Sequence, residues 1–213
     1  MDAPMGMSLL PDWSRPLWAL LLVVVFAQHA LHAGRMSGQP RWWHVGHTLM
    51  AAGMAVMYLL PHMRYPGLYR AGLVLFALVA LVEVVAAGVI GRREGGFNPL
   101  WGTAAAGMLI MTYMMVPLQL RPSWLTLVLV AYLCCETVIW AGGLWQRLPS
   151  SRTPPRLPPT GVELSTAPGA AGPAPAGGSG RGFGLVAHRS LGVRLSLAVM
   201  AASMAYMLTA SVF

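Results

Sequence analysis

The chain has 213 residues, of which 56% are hydrophobic and only 9% charged, and its net charge is +8. Soluble domains carry about 25% charged residues, so water is excluded as the main solvent and a lipid bilayer is implied. Every one of the 14 basic Lys/Arg positions is Arg, scattered between apolar runs with no basic stripe interleaved with aromatics. That pattern argues against nucleic-acid binding and makes the arginines markers of membrane topology.

The chain begins "MDAPMGMSLLPDWSRP", acidic rather than basic before its first apolar run. No small-residue cleavage site follows a short apolar core, so the first run is read as a retained helix and not a signal peptide. A helix needs about 20 apolar residues to cross about 30 Å of hydrocarbon. Six runs qualify: Pro16–Ala33, Trp43–Leu60, Leu68–Ile90, Leu100–Leu118, Trp124–Trp145 and Leu191–Val212. Their ends carry Arg, Pro, Gly or Trp, and most tryptophans fall where interfacial aromatics belong. The expected fold is all-α, a polytopic membrane protein built as a six-transmembrane-helix bundle.

Span one carries His29 and His32 near its end. Span two opens with "HVGHTLMAAGMAVM", which places His44, His47, Met50, Met54 and Met57 in one segment. At 100° per residue His47, Met50, Met54 and Met57 share one face, and His44 lies one turn before His47. Span three holds Glu83 inside "LVALVEVVAAG", and span five holds Glu136 inside "AYLCCETVIW". An ionisable group at a helix centre costs about 2.5–3.5 kcal/mol on the insertion scale. Such groups face the bundle interior and mark a relay, a pathway or a ligand. Span four repeats the sulfur theme with Met108, Met111, Met114 and Met115. Cys134 and Cys135 are adjacent and point about 100° apart on a helix, which disfavours a mutual disulfide; they read as small buried apolar residues.

Residues 148–184 are rich in Pro, Gly, Ser and Ala with few large apolar side chains. Such a segment buries too little surface to offset its ordering entropy and is expected to be a disordered linker. The domain expectation is therefore residues 1–147 for spans one to five, this linker, and residues 185–213 for span six packing back as part of one domain. Span six carries Met200, Met204 and Met207 in "MAASMAYM", which matches "MAAGMAVM" of span two at six of eight positions. His188 precedes it. Arginines 35, 41, 92, 93, 147, 152, 156, 181, 189 and 194 fall on one side and 15, 64, 70 and 121 on the other. The positive-inside rule then puts the linker in the cytoplasm of a bacterial cell and both termini outside.

In that topology the methionines of spans two, four and six lie roughly 10–24 Å from the cytoplasmic boundary at 1.5 Å per residue. Five of the six histidines gather at that boundary, with His62 on the other. Thioether and imidazole donors together suit Cu(I). The plain alternative is that Met fills gaps and the Ala/Gly/Ser spacing lets helices approach closely. The expected metal set is His29, His32, His44, His47, His188, Met50, Met54, Met57, Met200, Met204 and Met207, with Glu83 and Glu136 for charge compensation or proton relay. The sequence carries no GxSxG, Walker, HExxH or CxxC signature, and no catalytic residue is assigned.

The pattern H-x-x-H-x-x-M-A-x-x-M-A-x-M at His44–Met57 resembles that of small actinobacterial integral membrane proteins grouped only as a domain of unknown function. The resemblance takes in "AVMAASMAYML" of span six and covers most of spans one to six, omitting the linker. A looser similarity is to predicted metal-binding membrane proteins with His/Met-rich spans. It implies a polytopic membrane protein with metal handling and supplies no activity. The leading expectation is a copper-binding protein for transport or delivery through a His/Met-lined interior. The alternatives are a b-type haem electron carrier using paired histidines, a structural or assembly subunit of a membrane complex, and a lipid-active enzyme. Partners are the lipid bilayer and a membrane-complex subunit or second copy of the chain.

Overall fold

The computed structural model describes residues 13–60, 64–94, 99–144 and 190–212. His62, His188 and the expected linker at 148–184 lie outside the described residues. Among the described residues there are six α-helices: α1 (Ser14–Arg35), α2 (Gln39–Leu59), α3 (Pro66–Glu94), α4 (Pro99–Met115), α5 (Ser123–Gly142) and α6 (Leu191–Val212). A single 3₁₀ turn, Leu118–Leu120, links α4 to α5.

Proline and glycine set most of these boundaries. α2 has Pro in its first turn, and α3 and α4 begin at Pro66 and Pro99, where the missing N–H is harmless and φ is preset. α1 and α2 are joined through Gly38 at φ 71°. α5 ends at Gly143, whose φ of 65° is left-handed and whose N–H reaches Trp140 O at 3.2 Å, the usual glycine stop. The fourth apolar run was expected to remain helical to Leu118. It stops at Met115, because Pro117 disfavours helical backbone at the residue before it and removes a donor.

Four helices are long and apolar enough to cross a membrane: α1, α3 through Arg92, α5, and α6 through Ser211. The chain is accordingly an integral membrane protein. α2 opens with the polar and charged "QPRWWH", and α4 is only 17 residues long, about 26 Å at 1.5 Å per residue.

Three neighbouring pairs organise the molecule: α1 packs on α2, α3 on α4, and α5 on α6. The second member of each pair turns inward. α2 buries nine of its 21 residues and α4 ten of 17, whereas α1 buries six of 22 and α5 three of 20. The best apolar window of α6 is 56% buried, against 22% or less for α1, α3 and α5. Hence α2, α4 and α6, the methionine-bearing helices, form the centre. Met50, Met54, Met108, Met111, Met200 and Met204 are all buried there.

Close approach depends on glycine. A Cβ at Gly46 would collide with Glu83 Oε1, one at Gly53 with the Phe76 ring, and one at Gly107 would sit 2.7 Å from Met50 Cε. Gly46 and Gly53 are seven residues apart, as are Phe76 and Glu83. Two side chains of α3 therefore fill two notches in α2.

Candidate functional site

The histidines of α1 and α2 form one layer. His29 Nδ1 and His44 Nδ1 are 2.9 Å apart, and His29 Nε2 is 2.9 Å from Ser196 Oγ of α6. The His29 ring stacks on His47 at a centroid distance of 5.4 Å, and His32 stacks on His44 at 5.1 Å. Trp43 packs against His47 at 4.0 Å. His29 and His44 are both fully buried.

Hydrogen-bond chemistry assigns the tautomers of this layer. Ser196 Oγ donates to Val193 O at 2.8 Å, so it accepts from His29 Nε2–H. Neutral His29 then accepts at Nδ1, His44 donates from Nδ1, and His44 Nε2 carries a lone pair. That nitrogen is buried with no hydrogen-bond partner among the described residues. His32 donates from Nδ1 to Gln28 O at 2.7 Å, and His47 from Nδ1 to Trp43 O at 2.8 Å. A carbonyl on Nδ1 is the arrangement that turns Nε2 into the ligand nitrogen of metal-binding histidines.

Among the described residues no group of three or more His, Cys, Asp or Glu is disposed to hold a metal ion. Of the expected metal-ligating histidines, His29, His32, His44 and His47 are gathered in this layer. Both nitrogens of His29, and at least one each of His32, His44 and His47, are committed to protein partners. The direct His29–His44 contact also leaves no slot for a porphyrin between those two rings.

A second feature lies deeper. A partly open cavity of about 20 Å³ lies among α2, α4, α5 and α6, and its walls include His47, Met50, Glu136, Trp140, Met200 and Met204. That is room for one water or one ion. Trp140 Nε1 donates to Glu136 Oε1 at 3.2 Å, which orients the half-buried carboxyl. Gly107 leaves space for the Met50 methyl. Met54 is a turn further along α2, where Ser203 Oγ donates to its sulfur at 3.2 Å and Tyr58 donates to Ser203 O at 3.0 Å.

The sequence-predicted residues thus sort into three places. His47, Met50, Met200, Met204 and Glu136 meet at the cavity. His29, His32 and His44 stay in the layer beside it. Met57 and Met207 are half-buried and pack against the core without reaching the cavity. Glu83 is 6% exposed and presses on Gly46, and it is not among the side chains that line the cavity. The two carboxyls, expected to work at one depth, serve separate locations because α3 and α5 lie against different inner helices. Cys134 and Cys135, expected to be buried, are free and exposed on the outer face of α5.

Ser196, Ser203, Trp140 and Gly46 contribute to these features without having been singled out in the sequence. Ser196 and Ser203 are seven apart on α6, as Gly46 and Gly53 are on α2. That spacing of small residues was a signal available in the chain.

The model of a domain of unknown function, DUF5134, matches residues 39–211. The chain belongs to the DUF5134 family. The DUF5134 match opens at the first residue of α2 and ends in the last turn of α6. Every cavity residue of this DUF5134 member lies inside it, while α1 with His29 and His32 precedes it. No curated protein and no solved structure matches the chain.

Proposed function

We propose that this chain is a six-span membrane protein that binds a soft transition-metal ion, Cu(I) in kind, in the cavity among α2, α4, α5 and α6. The observation that supports the reading is the wall of that cavity, which is lined by one imidazole, three thioethers and one carboxyl from three helices. Thioether and imidazole prefer Cu(I) over Mg or Ca, which take oxygen ligands. His47 supplies Nε2 with its Nδ1–H anchored on Trp43 O. Met50, Met200 and Met204 supply polarizable sulfur, and Glu136 balances charge. The His29–His32–His44 layer lies between the cavity and the arginine-rich α1–α2 turn, a suitable route for an ion entering or leaving on the cytoplasmic side. Transport or delivery through this interior follows the same path.

The deciding experiment is Cu(I) titration of detergent-purified full chain against a chromophoric competitor. One Cu(I) per chain is expected. His47→Ala and the pair Met200→Leu/Met204→Leu should each weaken binding by about tenfold or more, equivalent to about 1.4 kcal/mol. No uptake by wild type, or equal uptake by all variants, refutes the metal site and leaves a helix-packing role for the methionines. An intense Soret absorbance in the purified protein would instead favour the haem reading.

A further inference from the structure

α3 is a lipid-facing helix with one inward stripe. Leu81, Val82, Val84 and Val85 are exposed to the hydrocarbon, while Phe76, Ala80, Glu83 and Ala87 are buried. These four follow the i, i+4, i+7, i+11 spacing of a packing seam. Three are apolar, as a seam requires. The fourth is a carboxyl whose Oε1 abuts Gly46 and whose Oε2 is buried with no hydrogen-bond partner among the described residues. Packing does not account for it, because a Leu or Met there would bury the same volume without the desolvation cost.

We propose that Glu83 is an intramembrane proton-exchange site, taking up and releasing a proton inside the α2–α3 seam. What surrounds the carboxyl selects the occupant. On α2 it meets Gly46, and the Met108 methyl of α4 approaches the same glycine. α4 contains no acidic, basic or histidine residue, and the histidines of α2 turn elsewhere: His44 to His29 of α1, His47 to the cavity. Na⁺, Mg²⁺ or Ca²⁺ would need several oxygen ligands, whereas Glu83 Oε2 has no hydrogen-bonding neighbour among the described residues. A proton is the one cation that a single carboxylate oxygen holds unaided. Gly46 is the positioning residue, since the notch it leaves admits the carboxyl to the seam.

The test uses the full chain in detergent and in lipid vesicles, treated with dicyclohexylcarbodiimide between pH 6 and pH 9. This apolar reagent reacts with a carboxylic acid and not with a carboxylate. Peptide mass spectrometry should find an adduct on Glu83, at a rate at pH 9 no more than about a tenth of that at pH 6, as expected for loss of the acid form. Glu83→Gln should abolish this adduct with unchanged thermal unfolding, because the amide keeps the shape of the neutral acid. A rate that is flat across the range, or no adduct at any pH, overturns the proposal. Cu(I) titration is independent of this readout, so the proton site and the metal site fail separately.

Discussion

Gly46 shows how much one missing methyl decides. Gly88, on the open side of α3, has nothing within 4 Å of the position a Cβ would take, whereas at Gly46 the same atom meets the Glu83 carboxyl. Overpacking a well-filled site costs about 1–3 kcal/mol, and Gly to Ala in an open helix interior gains about 0.5–1 kcal/mol. Gly46→Ala is therefore expected to lower the unfolding midpoint in detergent, and Gly88→Ala to hold or raise it. Equal midpoints for the two would mean that the α2–α3 seam is looser than described. Ser196 offers a second residue-scale check. It accepts from buried His29 across α1 and α6, so Ser196→Ala should destabilise by about 1–3 kcal/mol by orphaning that nitrogen.

At the scale of the element, helix ends are held by arginine. Arg194 of α6 donates from Nε to Trp140 O at 3.3 Å and from its terminal nitrogen to Ala141 O at 2.8 Å, placing a cation on the carbonyl end of α5 where the helix dipole favours it. Arg121 does the same for α4, donating to Val116 O and Met114 O. Burial pulls its pKa down, with Tyr113 and Tyr69 opposing the shift. Arg194→Ala should cost about 1–2 kcal/mol and loosen α5 against α6. Gly143→Ala should cost more than a surface substitution, since it forces a side chain into left-handed backbone and towards the Arg194 guanidinium. Urea or thermal melts of the two single variants and the double variant measure this; because both act on one contact, their effects should fall short of additive.

The whole molecule raises the question of which helices cross. Six crossings would alternate the connections between the two faces. On a background lacking Cys134 and Cys135, single cysteines at Gly38 and Arg92 would then face the cytoplasm, and those at Tyr65 and Gln119 the outside. In sealed right-side-out vesicles an impermeant maleimide should label Tyr65→Cys and Gln119→Cys within minutes, and Gly38→Cys and Arg92→Cys only after the membrane is opened. Labelling of all four from one side would reduce α2 or α4 to a helix that enters without crossing.

Much of this architecture was legible along the chain. Composition chose the solvent, because 9% charged residues cannot clothe a water-exposed surface of this size. Apolar run length and the Pro, Gly and Arg punctuation located the six described helices to within about four residues, the start of α2 and the end of α3 differing most. Of the eleven His and Met residues singled out by spacing, four (His47, Met50, Met200 and Met204) line one small cavity. What the chain alone left open was direction. Soluble helices announce their inner face by contrast with a polar outer one, but lipid and core are equally apolar, so Cys135 and Leu133 look alike in the sequence while one is exposed and the other buried. Which methionines turn to the cavity, why Glu136 joins them, and why Glu83 faces a glycine instead were decided by helix packing, where small residues let particular backbones approach. Only the tertiary structure carries that information, because it depends on pairs of residues as far apart as Gly46 and Glu83 or His29 and Ser196.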